Sequence, residues 1–194
     1  MSIRLSHFLA DFFVAKGWIE EDGKIAYVVG LDVIFSTLID WMAIGALGLM
    51  RGRFLEAIIY LAFFLTVRRY SGGYHAPTRI GCFGIFVIFY LLADMVTVGI
   101  FRNGSAPFLA IYSVCSVFLA ETAFYFFAPI PNDRKTYTEE WLLGARKKAF
   151  LCLNVWYCLA AGLAVLRLDL YGQIFAASNI VVLLIFMRKR RKRK

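Results

Sequence analysis

The chain has 194 residues, of which 61% are hydrophobic and 18% are charged, and its formal net charge is +9. Water-soluble domains have about 45–50% apolar and about 25% charged residues, so this composition excludes a soluble globular domain. Four cysteines are too few for a secreted disulfide scaffold. Several apolar runs approach the ~20 residues that cross a bilayer. The sequence therefore predicts an all-α, polytopic integral membrane protein.

The chain begins with an amphipathic segment, residues 3–16, whose apolar side chains recur on one side of a helix. Such a helix is expected to lie in the membrane interface rather than to cross the bilayer. No secretory signal peptide is expected, because Asp11 interrupts Met1–Trp18 and no small-residue cleavage site follows. A polar break, Gly17–Lys24, separates this segment from the first span.

About six transmembrane helices follow the amphipathic segment. Their expected ranges are Ile25–Met50, Phe54–Val67, Gly81–Phe101, Pro107–Ile130, Ala149–Leu166 and Leu170–Met187. The second span is the shortest, and the alternative is that it enters the membrane and returns to the same side. A polar connection, Pro131–Lys148, precedes the fifth span. The sequence predicts one membrane-embedded domain, residues 1–187, followed by a basic tail, residues 188–194.

The distribution of positive charge predicts the orientation of the spans. With six spans, 18 of the 22 Lys and Arg residues fall on the face that contains both termini. The positive-inside rule places that face in the cytoplasm. A basic tail can also bind nucleic acid, but this one directly follows the apolar run Ile180–Met187. That position favours contact with an anionic inner leaflet, and no nucleic-acid partner is expected.

Four acidic residues inside the predicted spans leave two interpretations open. Ionisable groups are costly in hydrocarbon and normally face a polar interior, a partner or a transport pathway. One interpretation is ion pairing inside the bundle, and the alternative is a small secondary transporter that uses these acids. The spans show neither an inverted repeat nor the paired Gly/Pro interruptions typical of carriers. The four residues are Asp32, Asp40, Asp94 and Glu121.

His75 and Cys82 are the residues best suited to covalent chemistry. They lie seven residues apart at the start of the third predicted span. Imidazole is the usual base for activating a thiol, since the thiolate is the nucleophile. Pro77 can open the helix that contains Cys82, and the positive end of that helix favours a thiolate in its first turns. The alternative is a loop histidine near a cysteine without a catalytic role.

Metal and cofactor chemistry is not expected. The chain has two histidines and neither a CxxC nor an HExxH pattern, so too few ligands lie close together in the sequence. The remaining cysteines, Cys115, Cys152 and Cys158, fall inside predicted spans and are interpreted as packing residues. We therefore expect no metal site and no cofactor.

The stretch Arg68–Cys82, RRYSGGYHAPTRIGC, resembles the accessory gene regulator B (AgrB) family of membrane cysteine peptidases. The family pattern has an arginine after the second span, a Gly-Gly-x-His segment, and a cysteine seven residues after the histidine. The basic segment after the fourth span is also similar, although Arg134-Lys135-Thr136 stands where the family often has Lys-Pro after the asparagine. Length, span number and the amphipathic N-terminus agree as well.

The resemblance implies a cysteine endopeptidase of the bacterial cell membrane with His75 as base and Cys82 as nucleophile. Its substrate would be a short pro-peptide with an amphipathic leader and an acidic C-terminal tail. Cleavage through a thioester would let the peptide close into a thiolactone or lactone, the cyclic quorum-sensing pheromone. The resemblance also implies a homodimer. Residues expected to bind substrate or support the site are Arg68, Arg69, Gly72, Gly73, Arg134 and Lys135, and Asn132 or Asp133 could orient His75.

Overall fold

The computed structural model describes residues 2–74, 76, 78–130, 138–166 and 170–192, with side chains from residue 4 to residue 187 of those ranges. Within them the chain forms seven α-helices, with a 3₁₀ turn (Glu21–Gly23) before the second and a π-helical turn (Thr97–Arg102) after the fourth. Their bounds are α1 Ser2–Ala15, α2 Lys24–Met50, α3 Phe54–Ser71, α4 Arg79–Val96, α5 Ala106–Phe127, α6 Glu139–Val165 and α7 Tyr171–Lys192. The prediction of an all-α protein is confirmed.

Several of these helices are long and apolar enough to cross a bilayer. Four described segments meet that requirement: Glu21–Met50, Arg79–Arg102, Ala106–Phe127 and Glu139–Val165. α3 includes Glu56, Arg68 and Arg69 among its 18 residues, and the apolar part of α7, Tyr171–Met187, is shorter. The multi-pass prediction is therefore confirmed, while the described helices give four candidate spans where the sequence predicted about six.

The chain forms two compact units, and the first, Met1–Ile44, contains α1 and most of α2. α1 buries its small residues Ser6 and Ala10 and leaves the large side chains of Leu5, Phe8 and Phe12 exposed. This pattern agrees with the amphipathic helix expected from the sequence. The Nζ of Lys24, at the start of α2, lies 2.5 Å from a carboxylate oxygen of Asp11 in α1.

α7 is the core helix of the second unit, Gly45–Lys194. It packs against α3, α4, α5 and α6. From Gly172 to Val182 every residue is buried except Asn179, which is partly exposed. Small side chains at Ala176, Ala177 and Ser178 allow this close packing. Two of its polar side chains are each hydrogen-bonded through one atom: Gln173 Oε1 accepts from Thr97 Oγ1 over 2.8 Å, and Asn179 Nδ2 donates to side-chain oxygens of α5.

A buried ion-pair cluster ties the turn before α3 to the end of α4. The Asp94 carboxylate is wholly buried and lies 2.7 Å from Nε of Arg51 and 3.1 Å from Nη1 of Arg53. Arg53 Nε also lies 3.1 Å from Oε1 of Glu56. The ion-pair interpretation thus holds for Asp94. Glu121 differs, because its carboxylate accepts a hydrogen bond from Asn154 Nδ2 over 3.0 Å.

The connection after α5 is shorter than the sequence suggested. We expected a polar connection from Pro131 to Lys148, but α6 begins at Glu139. Thr138 caps the helix by accepting a hydrogen bond from the Trp141 N–H over 3.3 Å. Glu139 and Glu140 lie in the first turn, where the positive end of the helix dipole stabilises their negative charge. Capping and charge therefore begin α6 before its apolar run.

Candidate active site

Two glycines end α3 and turn the chain sharply. Gly72 has φ +71° and Gly73 has φ +132°, both in the left-handed region that favours glycine. The Gly72 N–H donates to the Arg68 carbonyl over 3.0 Å, which closes the last turn of α3. A Cβ at Gly72 would overlap the carbonyl oxygen of Ile130. Residue 72 must therefore be glycine for two independent reasons, its positive φ and the close approach of the Ile130 carbonyl.

Backbone hydrogen bonds fix the turn against two other parts of the unit. The N–H of Ile130, just after α5, donates to the Ser71 carbonyl over 2.9 Å and forms a single parallel bridge with Gly72. The Tyr74 N–H donates to the Leu184 carbonyl of α7 over 3.1 Å. The segment from Ser71 to Tyr74 is thus attached to α3, to the end of α5 and to α7.

Cys82 lies in the first turn of α4, as the sequence predicted. Thr78 caps this helix, since its Oγ1 accepts a hydrogen bond from the Gly81 N–H over 3.1 Å. The Cys82 N–H donates to the Thr78 carbonyl over 3.0 Å, the first backbone bond of the helix. The cysteine is free and partly exposed.

Arg68 is held in place by two contacts. Its Nη2 donates to the Tyr74 carbonyl over 2.5 Å, and its Cζ lies 4.8 Å from the centre of the Phe64 ring. Burial lowers the pKa of this guanidinium, while electrostatic attraction to Cys82 and to Tyr60 raises it. Arg68 follows the apolar part of α3 and lies outside the four candidate spans. Arg68 therefore fixes the turn through its hydrogen bond to Tyr74 and interacts electrostatically with Cys82.

Further basic side chains lie at the same end of the helices. Lys148 Nζ is 5.9 Å from the Tyr70 ring, and Arg146 Cζ is 5.1 Å from the Tyr125 ring. Both aromatic residues belong to the last turns of α3 and α5, the turns that lead into the site. Arg69, in contrast to Arg68, is exposed. The structure thus separates two neighbouring arginines that the sequence grouped together.

Part of the predicted site lies outside the described residues. This is true of the expected base, His75, of the expected binding residues Arg134 and Lys135, and of Asn132 and Asp133. The described residues bring Arg68, Gly72 and Gly73 together with the turn and place Cys82 at the start of α4. Among these residues, no group of three or more His, Cys, Asp or Glu side chains is arranged to hold a metal ion.

Sequence reasoning missed three residues that shape this region: Phe64, Ile130 and Leu184. Phe64 precedes Arg68 by four residues, a spacing that places both side chains on one helix face, so the sequence did contain a signal for that contact. Ile130 and Leu184 contribute backbone atoms from distant elements. No local pattern marks such a contact.

Comparison with known proteins supports the resemblance seen at Arg68–Cys82. The family model for accessory gene regulator B matches residues 6–188. Proteins named only as AgrB-like, from Listeria monocytogenes serovar 1/2a and Listeria welshimeri serovar 6b, are each 28% identical over 96 and 98 residues. These matches cover 48% and 50% of this chain and 47% and 48% of the relatives, so the chain spans about half the length of the curated relatives it matches. No solved structure matches the chain. The match over nearly the whole chain shows that it belongs to the accessory gene regulator B family.

Proposed function

We propose that this protein is a membrane-embedded cysteine endopeptidase that cleaves a short amphipathic pro-peptide and promotes cyclisation of the released quorum-sensing peptide. The observation that supports this most strongly is the position of Cys82. Its thiol lies in the first turn of a capped helix, near the guanidinium of Arg68, which also bonds to the residue that precedes His75. Family membership supports a role in quorum-sensing peptide processing.

The proposed reaction has two steps. In the first, His75 accepts the Cys82 thiol proton, the thiolate attacks a backbone carbonyl of the pro-peptide, and His75 donates that proton to the leaving amine. The products are a thioester between Cys82 and the N-terminal fragment, and the free C-terminal fragment. In the second step, a Cys or Ser of the bound fragment attacks the thioester, which closes a thiolactone or lactone ring and returns the proton to Cys82. Exchange of one thioester for another conserves the acyl-transfer energy.

The remaining residues have supporting roles in this proposal. Arg68 positions the turn through the Tyr74 carbonyl, and Gly72 and Gly73 allow the backbone contacts that hold it. Arg69, Arg134 and Lys135 bind the acidic tail of the substrate by charge attraction. The termini face the cytoplasm, where a newly made peptide arrives and where basic residues meet the anionic inner leaflet. Two copies of the chain associate in the membrane.

The test is reconstitution of the full chain in liposomes with a candidate pro-peptide, followed by mass spectrometry of the products. We expect wild-type protein to release the C-terminal fragment and to accumulate a hydroxylamine-sensitive adduct on Cys82. Cys82→Ala and His75→Ala should release none. Cys152→Ala is the matched control, because Cys152 is also a free, partly exposed cysteine, and it should retain full activity. Fragment release by Cys82→Ala would refute the proposal.

The two neighbouring arginines provide a finer test. Arg68→Lys keeps a positive charge but loses the planar group that bonds Tyr74 and stacks on Phe64. We expect it to lower kcat at least ~10-fold with little change in KM, since the loss affects positioning rather than substrate affinity. Arg69→Gln should mainly raise KM for a pro-peptide with an acidic tail. The reverse assignment of the two effects would contradict these roles.

A further inference from the structure

The outer face formed by α5 and α6 contains a polar pair in a position where a membrane helix normally presents only apolar groups. Asn154 is exposed and Glu121 is partly exposed, and they bond to each other across the two helices. Both residues lie inside candidate membrane spans. Carboxyl and amide groups within a bilayer almost always face a polar interior or another protein, because hydrocarbon satisfies none of their hydrogen bonds.

The hydrogen-bonding capacity of this pair is only partly used. Asn154 Nδ2 donates to Glu121 Oε1 and to the Phe150 carbonyl, each over 3.0 Å, so both of its hydrogens have acceptors. Among the described residues no contact is shown for the second carboxyl oxygen of Glu121 or for Asn154 Oδ1. A second copy would present the same two groups. A protonated carboxyl group of one copy can then donate to the amide oxygen of the other.

The side chains on either side of this pair are complementary in size. On α5, Val114 and Phe118 share the face of Glu121 and are exposed by 69% and 74%. On α6, the residues that follow Asn154 at helical spacing, Cys158 and Ala161, are small and exposed. Small residues let membrane helices approach closely, and large side chains of one surface fill the space above small ones of another. A surface with both kinds can pair with itself about a two-fold axis.

We infer that this surface, Val114, Phe118 and Glu121 of α5 with Asn154, Cys158 and Ala161 of α6, is where two copies of this chain meet in the membrane. This rests on the proposed association of two copies but is independent of the proposed peptidase chemistry. The two-fold axis runs along the membrane normal, so that both copies keep the same orientation. Phe118 of each copy lies against the small residues of its partner, and the two polar pairs meet near the axis.

Single-cysteine cross-linking in liposomes tests the surface directly. Cys158 is native, so a variant with Cys82, Cys115 and Cys152 replaced by alanine keeps it as the single cysteine. A short bismaleimide should convert this variant to covalent dimer. The matched control keeps no native cysteine and contains Ile88→Cys on α4, a position that is also exposed (55%) but lies on another helix. We expect at least ~10-fold less dimer from the control.

Dimerisation measured by fluorescence energy transfer on dilution into excess lipid gives the energetic test. Phe118→Ala and the double variant Glu121→Leu/Asn154→Leu should each weaken association at least ~10-fold. Phe126→Ala is the control for the first, because Phe126 is an exposed phenylalanine (67%) that points about 80° away from Phe118 around α5, and it should change association less than ~2-fold. Efficient cross-linking at Ile88→Cys but not at Cys158 would overturn the surface while leaving the association of two copies intact. A chain that stays monomeric at every lipid dilution would overturn both. Neither result bears on pro-peptide cleavage, which is measured separately.

Discussion

Replacing Asp94 with asparagine should strongly destabilise the second unit. The Asp94 carboxylate is 0% exposed and is the shared partner of two arginines at 2.7 and 3.1 Å. Arg53 is 6% exposed, so its guanidinium depends on Asp94 and Glu56 for compensation, whereas Arg51 is 38% exposed and remains in contact with polar surroundings. The substitution keeps the side-chain shape and removes only the charge. Its cost is therefore electrostatic.

The magnitude follows from the geometry. At an effective dielectric constant of about 20, two unit charges ~3 Å apart attract by roughly 5 kcal/mol before desolvation is considered. Desolvation of both groups offsets much of this attraction in the intact pair. When only one partner is removed, the other stays buried, and its desolvation cost remains without a compensating attraction. Removing one member of a buried pair costs about 3–5 kcal/mol. Because Glu56 still compensates Arg53 in part, we expect about 3 kcal/mol for Asp94→Asn.

Unfolding by SDS titration in mixed micelles, followed by circular dichroism, measures this cost. Arg51→Gln should lose only about 1 kcal/mol, since Arg51 is the more exposed partner. The triple variant Asp94→Leu/Arg53→Met/Glu56→Gln should be more stable than Asp94→Asn, because it leaves no uncompensated charge at any of these three positions. If Asp94→Asn unfolds within ~0.5 kcal/mol of wild type, the carboxylate does not act as the buried anion of this cluster and the reasoning is wrong.

Two further substitutions test the turn and the helix start at the candidate site. Gly72→Ala should abolish peptide processing and destabilise the protein, because a Cβ would overlap the Ile130 carbonyl and φ is positive; Gly84→Ala, with open space around its Cβ position, should leave both unchanged. These outcomes are read from product release and SDS unfolding, and an active Gly72→Ala would contradict the close approach. Thr78→Ala should cost about 1 kcal/mol and slow maleimide labelling of Cys82, because the first turn of α4 loses its cap. Thr138→Ala, which removes the equivalent cap of α6, should cost a similar amount without changing that labelling.

The sequence predicted features that depend on local chemistry. Apolar runs indicated the helices, and Pro77 indicated a helix start that placed Cys82 in the first turns of α4. The predicted start of α6 was wrong, because our interpretation followed the apolar run and gave too little weight to the cap at Thr138 and the acidic first turn. Contacts between distant backbones, such as Tyr74 with Leu184, were beyond prediction. Such contacts depend on how α7 packs in the unit, and the residues around Tyr74 or Leu184 contain no pattern that indicates this packing.

Residues at four-residue spacing connect the candidate site to the ion-pair cluster at the other end of α3 and α4. The spacing places Phe64 and Tyr60 below Arg68 on α3, and Phe86 and Tyr90 below Cys82 on α4. The rings meet in pairs across the interface between α3 and α4, which we call the seam. Phe64 lies 4.9 Å from Phe86, and Tyr60 lies 5.4 Å from Tyr90, measured between ring centres.

The seam therefore has charged groups at both ends and aromatic rings between them. At one end Arg68 interacts electrostatically with Cys82, and at the other Arg53 is bonded to Asp94. Because aromatic pairs tolerate little sliding without loss of contact, the α3–α4 register fixed by the Asp94 ion pairs also fixes the position of Arg68 relative to Cys82. A one-residue slip of either helix would turn its side chains by about 100° and separate both pairs. The geometry of the candidate site is thus a property of the α3–α4 register, and Asp94, though it lies at the far end of α4, is expected to influence it through that register.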